Sequence, residues 1–272
     1  MTTVAKTTEY QVQHVQDRNV LREFFTRNRG LHVYMLGDLE DAMWEISEFT
    51  GAFNGQGLEG VSLIWRGVQT PVCLVTGSPD AVNMLLQQPQ LPEKVWAIIP
   101  GDLFSTFEQY YAPEESGKLW RMVVTPTEFV DGPSNPYLRR LTGADAEAVT
   151  RLESMERGAF GRDTTYTPAM LDNGVFYVIT DKEGQMISVA GTHVVATKER
   201  VGAVGHVYTA PSERGRGYAT MTTAAVTREL FRMDISLVAL NVFQTNTPAI
   251  RAYNKLGYRI HAPINECVAI KR

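Results

Sequence analysis

Apolar and polar positions in the second half of the chain follow the periods of strands and helices in turn. The run "GVFYVITDKEGQMISVAGTHVVATKERVGAVGHVYTA" predicts three strands, joined by turns at "DKEG" and "KERVG". A helix is predicted from about residue 218 to 233, because Ala219, Val226 and Leu230 recur on one side of it. "ISLVALNVF" predicts a buried strand, and "NTPAIRAYNKLG" a helix with Pro248 in its first turn and Gly257 at its end. With strands at "YLRRLT" and "YRIHAPINECVAIKR" and a helix at "GADAEAVTRLESMERG", the predicted order is strand, helices, three strands, helix, strand, helix, strand.

The first half of the chain repeats this order loosely. Strands are predicted at "EYQVQHV", "SEFTGAFNG", "GVSLIWRG", "PVCLVTG", "KVWAIIP" and "KLWRMVVTP". Helices are predicted at "DRNVLREFFTRN", capped by Asp17, at "VYMLGDLEDAMW", at "SPDAVNMLLQQ", capped by Ser78 with Pro79 in its first position, and at "LFSTFEQYY". The seam "TPTEFVDGPSNPYLRRL" separates the two halves. We therefore predict an α+β (α/β) chain of two tandem domains, residues 1–131 and residues 136–272.

Composition narrows the class of protein. The chain has 272 residues, a natural length for two domains that each bury a core. Its net charge of −4 argues against a protein whose main role is to bind nucleic acid. No apolar run in the sequence is long enough to cross a bilayer. Two cysteines without a CxxC spacing fit a reducing compartment and give no metal site. The sequence predicts a cytoplasmic protein without a signal peptide, a membrane span, a nucleic-acid partner or a metal.

The stretch "VYTAPSERGRGYATMT" is the strongest candidate for a ligand site. A strand that ends in a glycine loop at a helix start lets backbone N–H groups reach phosphate oxygens, and the helix adds its partial positive charge. Arg214 and Arg216 add cationic donors, so a pyrophosphate is the expected guest. A kinase-type phosphate loop would need a lysine after the glycines, and a dinucleotide fingerprint would need a third glycine. Both nucleotide interpretations are therefore disfavoured.

Two motifs in the second half resemble the GNAT superfamily of N-acyltransferases. "RGRGYA" is similar to the R/Q-x-x-G-x-G/A signature with which that superfamily holds the pyrophosphate of acetyl-coenzyme A. "NTPAIRAYNKLGY" is similar to its N-x-x-A-x-x-x-Y-x-K-x-G-F/Y ending. The resemblance begins near "YLRRLTGADAEAV" and covers about the last half of the chain. It implies GNAT-like domains, each a mixed, mostly antiparallel sheet flanked by helices, with the first half a degenerate copy.

The resemblance also implies which residues hold the cosubstrate. Acetyl-CoA would lie in a V-shaped gap between the family's fourth and fifth strands, with its pyrophosphate on the glycine loop. Periodicity in the sequence cannot show such a gap. The implied contacts of the cosubstrate are Val207, Tyr208, Thr209, Arg214, Gly215, Arg216, Gly217, Tyr218, Ala219, Thr220 and Asn246.

Catalytic roles follow from the same resemblance, each beside a structural alternative. Tyr253 would lie near the thioester sulfur and protonate the leaving thiolate, since a phenol with a pKa near 10 matches that acidity; a core-facing aromatic is the structural alternative, and the acid role is favoured over it. His206 is the first candidate for a general base and His193 the second, although histidines in strands are commonly structural. Asp163 and Tyr166 fall where relatives line the acceptor site, and a solvated loop explains them equally well.

These residues favour an acetyl-CoA-dependent N-acetyltransferase that acts on an amine acceptor by direct attack on the thioester, as a monomer or homodimer. A CoA-binding sensor or partner-binding scaffold without turnover is the alternative, because no convincing base stands out. The first half has "VTGSPDAVNML" where the second has its glycine loop, with one glycine, no arginine and a proline that removes a donor. We expect it to bind no CoA and to shape the acceptor side. The acidic stretch "DLED" at residues 38–41 is either a solvated helix face or a rim that attracts a cationic acceptor.

Overall fold

The computed structural model of the protein describes residues 9–155 and 165–272. The strands in these ranges are β1 Gln11–His14, β2 Ser47–Asn54, β3 Gly57–Trp65, β4 Val72–Gly77, β5 Lys94–Pro100, β6 Tyr111–Val124, β7 Leu138–Arg140, β8 Tyr177–Thr180, β9 Met186–Ala196, β10 Val201–Thr209, β11 Leu237–Phe243 and β12 Arg259–Lys271. The α-helices are α1 Arg18–Thr26, α2 Val33–Gly37, α3 Asp41–Trp44, α4 Pro79–Leu86, α5 Phe104–Phe107, α6 Ala146–Glu153, α7 Pro168–Asn173, α8 Tyr218–Arg232 and α9 Thr247–Lys255.

Two compact units form from segments that are not contiguous in sequence. Unit 1 combines the described residues up to Arg27 with Asp41–Lys118 and Pro263–Arg272. Unit 2 combines Asn28–Glu40 with Leu119–Ala262. Each unit therefore contains chain from both sides of the seam at residues 132–135. The domain limits at 131 and 136 stay a prediction.

Unit 1 is built on the strand order β1-β2-β3-β4-β5-β12. Its neighbouring strands run antiparallel except β4 and β5, which are parallel over residues 72–74 and 96–98. Residues 264–270 of β12 pair with β5, so the end of the chain completes this sheet. Helix α4 follows β4 and buries Ala81, Val82, Leu85 and Leu86. The helix–strand order predicted for the first half is present along the chain, but residues 119–124 of its last strand, β6, pair with β11 in unit 2, and the end of the chain supplies the neighbour of β5 in unit 1.

Unit 2 has the order β6-β11-β10-β9-β8-β7. Only β10 and β11 are parallel among the described pairs of this unit. Side chains that alternate along β9 enter two different cores, since Ala190 packs with α8 and α9 residues while Val189 packs with α6 residues. Helices therefore cover both faces of a mixed, mostly antiparallel sheet. The predicted fold class is confirmed.

Helices α2 and α3 replace the single helix predicted at "VYMLGDLEDAMW". Helix α2 ends at Gly37, after which the N–H of Asp38 bonds to the carbonyl of Tyr34 and the chain turns. Gly37 lies against β9, where a side chain would come within 2.5 Å of Val194. This packing ends the helix before residues 38–41 and assigns Asn28–Glu40 to unit 2.

Candidate active site

Strands β10 and β11 diverge in the middle of unit 2. They pair from Val201 with Leu237 to Val204 with Leu240. β10 then continues to Thr209 and β11 to Phe243 without further pairing to each other in the part of the chain that the structure describes. A parallel pair that separates along its length leaves backbone donors and acceptors facing the gap, where a ligand can bond to them.

A β-bulge interrupts β10 at the point of divergence. Register shifts occur between Ala203 and Val204 and between Gly205 and Tyr208. His206 has a φ of 52°, which is uncommon for a residue other than glycine. Within the described strands, no residue of β9 is a register partner of His206 or Val207. The bulge thus releases the backbone of Val207 from the ladder, and bulges of this kind commonly lie beside functional sites.

The glycine loop leads from β10 to an open helix start. A 3₁₀ turn at Pro211–Glu213 is followed by Gly215 and Gly217, both left-handed with φ values of 80° and 83°. No heavy atom of the described structure lies within 4 Å of the place that a Cβ would take at either glycine. Gly217 is the N-cap of α8 and offers no side chain to the first amides of the helix. This is the geometry that an anionic group needs in order to approach those amides.

The two loop arginines have different environments. The Nε of Arg214 donates to the carbonyl oxygen of Thr209 at 3.1 Å, and its guanidinium lies 5.9 Å from the ring of Tyr208. Arg216 forms an exposed ion pair with Glu213, with 3.1 Å between Nη1 and Oε2. An exposed pair of this type contributes little to stability and yields readily to a stronger anion.

Asn246 and Tyr253 lie on α9. The Oδ1 of Asn246 accepts the N–H of Ala249 at 3.2 Å and so caps the helix. Tyr253 is buried in the core of unit 2, 6.1 Å from the ring of Tyr258. Burial raises the pKa of Tyr253 to about 12, so the phenol keeps its proton at neutral pH. Among the described residues no partner binds its hydroxyl, whereas the hydroxyl of Tyr258 pairs with Thr227 at 2.7 Å.

His193 and His206 contact each other on the face of the sheet opposite α8. Their rings are 4.3 Å apart, and a Cβ at Gly205 would come within 2.1 Å of the His193 ring, so only glycine lets that ring lie there. Burial lowers the pKa of His193 to about 4. Burial and the neighbouring His193 lower the pKa of His206 well below its usual value. Both imidazoles are therefore neutral at pH 7, and either is a weak proton acceptor.

Other candidate residues lie around this pair. The ring of Tyr166 is 5.2 Å from His206, and its hydroxyl bonds to Glu153 of α6. Phe176 lies 5.6 Å from His206. Asp163 lies outside the described residues. The structure therefore brings His193, His206 and Tyr166 together beside the bulge.

Sequence reasoning missed Arg121, which joins Asn28–Glu40 to the sheet of unit 2. Arg121 is 1% exposed. Its Nε donates to Asn241 at 2.6 Å and its Nη1 to the carbonyl of Leu31 at 3.0 Å, and its guanidinium lies 4.6 Å from the ring of Tyr34. The available signal was a lone arginine among apolar residues in "KLWRMVV". A buried arginine needs several hydrogen-bond acceptors, and Arg121 has them.

Neither a membrane helix nor a metal site appears in the described ranges. No helix within residues 9–155 and 165–272 is both long and apolar enough to span a bilayer. In the same ranges, no three His, Cys, Asp or Glu side chains are grouped so that they could hold a metal ion.

Comparison with known proteins finds a family match over the residues that carry this site. Residues 146–258 match the acetyltransferase (GNAT) family. β-Lysine N(6)-acetyltransferase from Methanosarcina mazei is 28% identical over 145 residues, which are 50% of this chain and 51% of that protein. The chain thus matches about half the length of this curated relative.

Solved structures extend the likeness to both halves of the fold. A Drosophila protein has a TM-score of 0.72 at 15% identity and covers 95% of this chain and 98% of its own. A GCN5-related N-acetyltransferase from Sphaerobacter thermophilus has a TM-score of 0.59 at 16% identity, covering 97% of both chains. A tandem GNAT protein from the clavulanic acid biosynthesis pathway has a TM-score of 0.58 at 10% identity, covering 97% and 98%. Residues 146–258 therefore match the acetyltransferase (GNAT) family, and the chain shares the fold of a tandem GNAT protein over almost its whole length.

Proposed function

We propose that the protein is an acetyl-CoA-dependent N-acetyltransferase acting on an amine. The observation that carries this proposal is the divergence of β10 and β11 directly before the open, uncapped glycine start of α8. The gap offers a slot for an extended arm, and the helix start offers amides for a pyrophosphate. The two features follow each other along one stretch of chain, as a pantetheine arm and a pyrophosphate do along CoA.

The proposed cosubstrate contacts divide into an arm site and a phosphate site. Backbone groups of Val207, Tyr208 and Thr209 face the arm. The amides of the loop and of the first turn of α8 receive the pyrophosphate, because both loop glycines leave the approach open. Arg214 and Arg216 add charge beside them. These loop and first-turn positions are Arg214, Gly215, Arg216, Gly217, Tyr218, Ala219 and Thr220.

The proposed reaction joins the acceptor nitrogen to the acetyl carbon. The amine attacks the thioester carbonyl, so a C–N bond forms, the C–S bond breaks, and free CoA leaves as the thiol. The N–H of Val207, which has no register partner on β9 among the described pairs, is the proposed donor to the carbonyl oxygen as that oxygen gains charge. Tyr253 gives its proton to the thiolate, and burial keeps that phenol protonated until then. His206 is the proposed acceptor of the amine proton. Asn246 is the proposed contact of the arm from the start of α9.

The acceptor class is an amine, and an aliphatic primary amine is favoured. The curated relative is named for acetylation of a side-chain amine of β-lysine. In this chain, Asn28–Glu40 lies on β9 and β10 beside the two histidines and supplies the wall on that side of unit 2. We expect this segment of the first half to shape the acceptor side.

A CoA-binding sensor without turnover is the second candidate. It is favoured by one observation, the low pKa values of His193 and His206, which leave no strong base beside the bulge. Release of free thiol from acetyl-CoA separates the two candidates, measured with primary amines, amino acids and lysine peptides. Amine-dependent thiol release with an equal amount of acetylated product supports the transferase. CoA binding without thiol release from any acceptor supports the sensor, and absence of CoA binding overturns both.

A further inference from the structure

Two glycines of unit 2 lie opposite each other on β9 and β10, directly before the bulge. Gly191 and Gly205 are register partners, and the second register shift of β10 begins at Gly205. Neither has a positive φ, so the backbone conformation does not require glycine at either position. Glycine inside a strand often marks a place where another group approaches the backbone closely.

Aromatic rings occupy the places where the two missing side chains would stand. A Cβ at Gly205 would lie 2.1 Å from both Cδ2 and Nε2 of His193. A Cβ at Gly191 would lie 2.0 Å from both Cδ1 and Cε1 of Phe176. Contacts of this length are far shorter than van der Waals separation, so an alanine at either position must displace a ring. Both glycines are therefore needed for space.

The two rings pack on His206, the residue that follows Gly205. The ring of His206 lies 4.3 Å from that of His193 and 5.6 Å from that of Phe176. Tyr166 adds a third ring at 5.2 Å in an edge-to-face arrangement. A φ of 52° is unfavourable for a residue with a side chain, and it persists where surrounding contacts hold it. Three rings supply such contacts at His206, and two of them require the glycines.

We propose that Gly191 and Gly205 are positioning residues for the imidazole of His206. By leaving room for two rings, they hold this imidazole and its left-handed backbone two residues beyond Val204, where the pairing of β10 with β11 ends. The inference rests on the proposed function, in which His206 accepts the amine proton, and it deepens that function. A proton acceptor must lie within hydrogen-bond reach of the amine, so an imidazole held in one place is favoured over a freely rotating one.

The two glycines differ in how a substitution can test this role. His193 retains access to solvent, whereas Phe176 is 1% exposed. A methyl group at Gly205 can therefore turn the His193 ring outward with little damage to the fold. A methyl group at Gly191 would instead overpack the core around Phe176. Gly205→Ala is thus the informative variant.

Displacement of the His193 ring should also change the protonation of His206. Burial and the neighbouring His193 hold the pKa of His206 well below its usual value. The other titratable groups on this side are the phenol of Tyr166 and the carboxylate of Glu153 bonded to it, and Gly205→Ala alters neither. The pKa of His206 should therefore rise toward its usual value in this variant. A loss of stability alone would not produce that shift.

Imidazole NMR titration and steady-state kinetics of the full chain test the inference, with acetyl-CoA and cadaverine as substrates. We expect Gly205→Ala to lower kcat about ten- to a hundredfold, as for a misplaced catalytic group, with the KM for acetyl-CoA nearly unchanged. The pKa of His206, whose signal His206→Asn identifies, should rise. Gly202→Ala is the matched control, since its methyl group on the same strand would face Leu230 of α8 at 3.1 Å. It should retain the kcat and the His206 pKa of the wild type.

His193→Ala provides a second variant, which removes the ring without adding an atom. It should lower kcat and raise the pKa of His206 as Gly205→Ala does. With the ring gone, the methyl group at Gly205 has no ring to displace, so the double variant should match His193→Ala.

Three outcomes would overturn the inference. They are an unchanged kcat and His206 pKa in folded Gly205→Ala or His193→Ala, additive effects of the two substitutions, and a far larger loss of kcat in His193→Ala, which would make His193 itself the base. If Gly205→Ala does not fold, His193→Ala decides. The NMR titration needs no acceptor, so it separates failure of this inference from failure of the proposed function, which absence of CoA binding would show.

Discussion

Helices α4 and α8 each follow a strand of a parallel pair, and their N-termini differ in how the first amides are capped. At the start of α4, the Oγ of Ser78 accepts the N–H of Ala81 at 3.3 Å, Pro79 carries no N–H, and a Cβ on Gly77 would lie 2.3 Å from the carbonyl oxygen of Glu59. At the start of α8, Gly217 offers no cap and stands in open space. The first start caps the amide of Ala81 with a side chain, and in the described chain the second leaves its first amides without a side-chain cap.

The strands before these helices differ as well. β4 pairs with β3 from Gly60 with Gly77 to Trp65 with Val72 without a register shift. β10 carries two shifts and the left-handed His206. Gly77 and Gly217 therefore have different structural roles. Gly77 is required because the neighbouring backbone is too close for a side chain, whereas Gly217 combines the same left-handed backbone with space for a guest.

The largest expected effect is on CoA binding at the open helix start. Gly217→Val places a side chain in that space and strains a backbone with a φ of 83°. We expect CoA affinity to fall by about two to six orders of magnitude, since two or three charge-assisted hydrogen bonds of about 1.5–3 kcal/mol each are lost. Titration calorimetry with CoA measures the change.

Gly184→Val is the matched control for that substitution. Gly184 has a φ of 85°, has no neighbour within 4 Å among the described atoms, and lies in a turn before β9. It should destabilise unit 2 to a similar degree and leave CoA affinity unchanged. If Gly184→Val weakens CoA as much as Gly217→Val does, backbone strain explains the loss and the phosphate site is wrong.

A second prediction concerns Tyr253; in the first half, "PGDLFSTFEQYY" follows the strand in place of the asparagine-led "NTPAIRAY". Tyr253→Phe keeps the ring against Tyr258 and removes the proton. We expect kcat to fall about ten- to ten-thousandfold, the range for a lost general acid, with CoA affinity nearly unchanged. Steady-state kinetics and CoA titration check both parts. Wild-type turnover would make Tyr253 a core residue only.

A third prediction concerns stability against pH. The folded protein holds a proton on Asp38 between about pH 4 and pH 8 that the unfolded chain releases, so this residue lowers the free energy of unfolding as pH rises through that window. Asp38→Asn should match the wild type near pH 4 and be more stable by about 2 kcal/mol above pH 8, after allowance for its remaining exposure. Urea unfolding at the two pH values measures the difference. A constant difference would show that Asp38 is not surrounded by protein.

The smallest expected effect is at the N-terminus of α4, which Ser78 caps. Ser78→Ala removes the cap of α4 and should lower the free energy of unfolding by about 1 kcal/mol. CoA affinity and stoichiometry should not change, because this helix start is expected to hold no phosphate. Chemical denaturation and CoA titration of the same variant measure the two quantities. A change in CoA stoichiometry would contradict the contrast between the two helix starts.

The sequence predicted the elements of unit 2 well because local signals decide them. Gly217 before an apolar period, and Pro248 with Gly257 around α9, each act through neighbouring residues. The final strand pairs with β5 far away in sequence, and no local signal shows that. The same holds for Asn28–Glu40, which joins unit 2 through Arg121 and Gly37.

The features of the candidate site also divide into those that local sequence signals predict and those that they do not. The glycine loop and Tyr253 could be found from motifs. The bulge at His206 and the contact between the two histidines could not, because each depends on strand register.

A crystal structure of the protein saturated with CoA tests the central claim most directly. We predict one CoA per chain, with its pyrophosphate on the amides of residues 214–220 and its arm between β10 and β11. No density should lie against residues 78–82, where the helix start is closed. A second CoA at residues 78–82, or a single CoA bound away from the glycine loop, would contradict the contrast between the two helix starts and the function proposed from it.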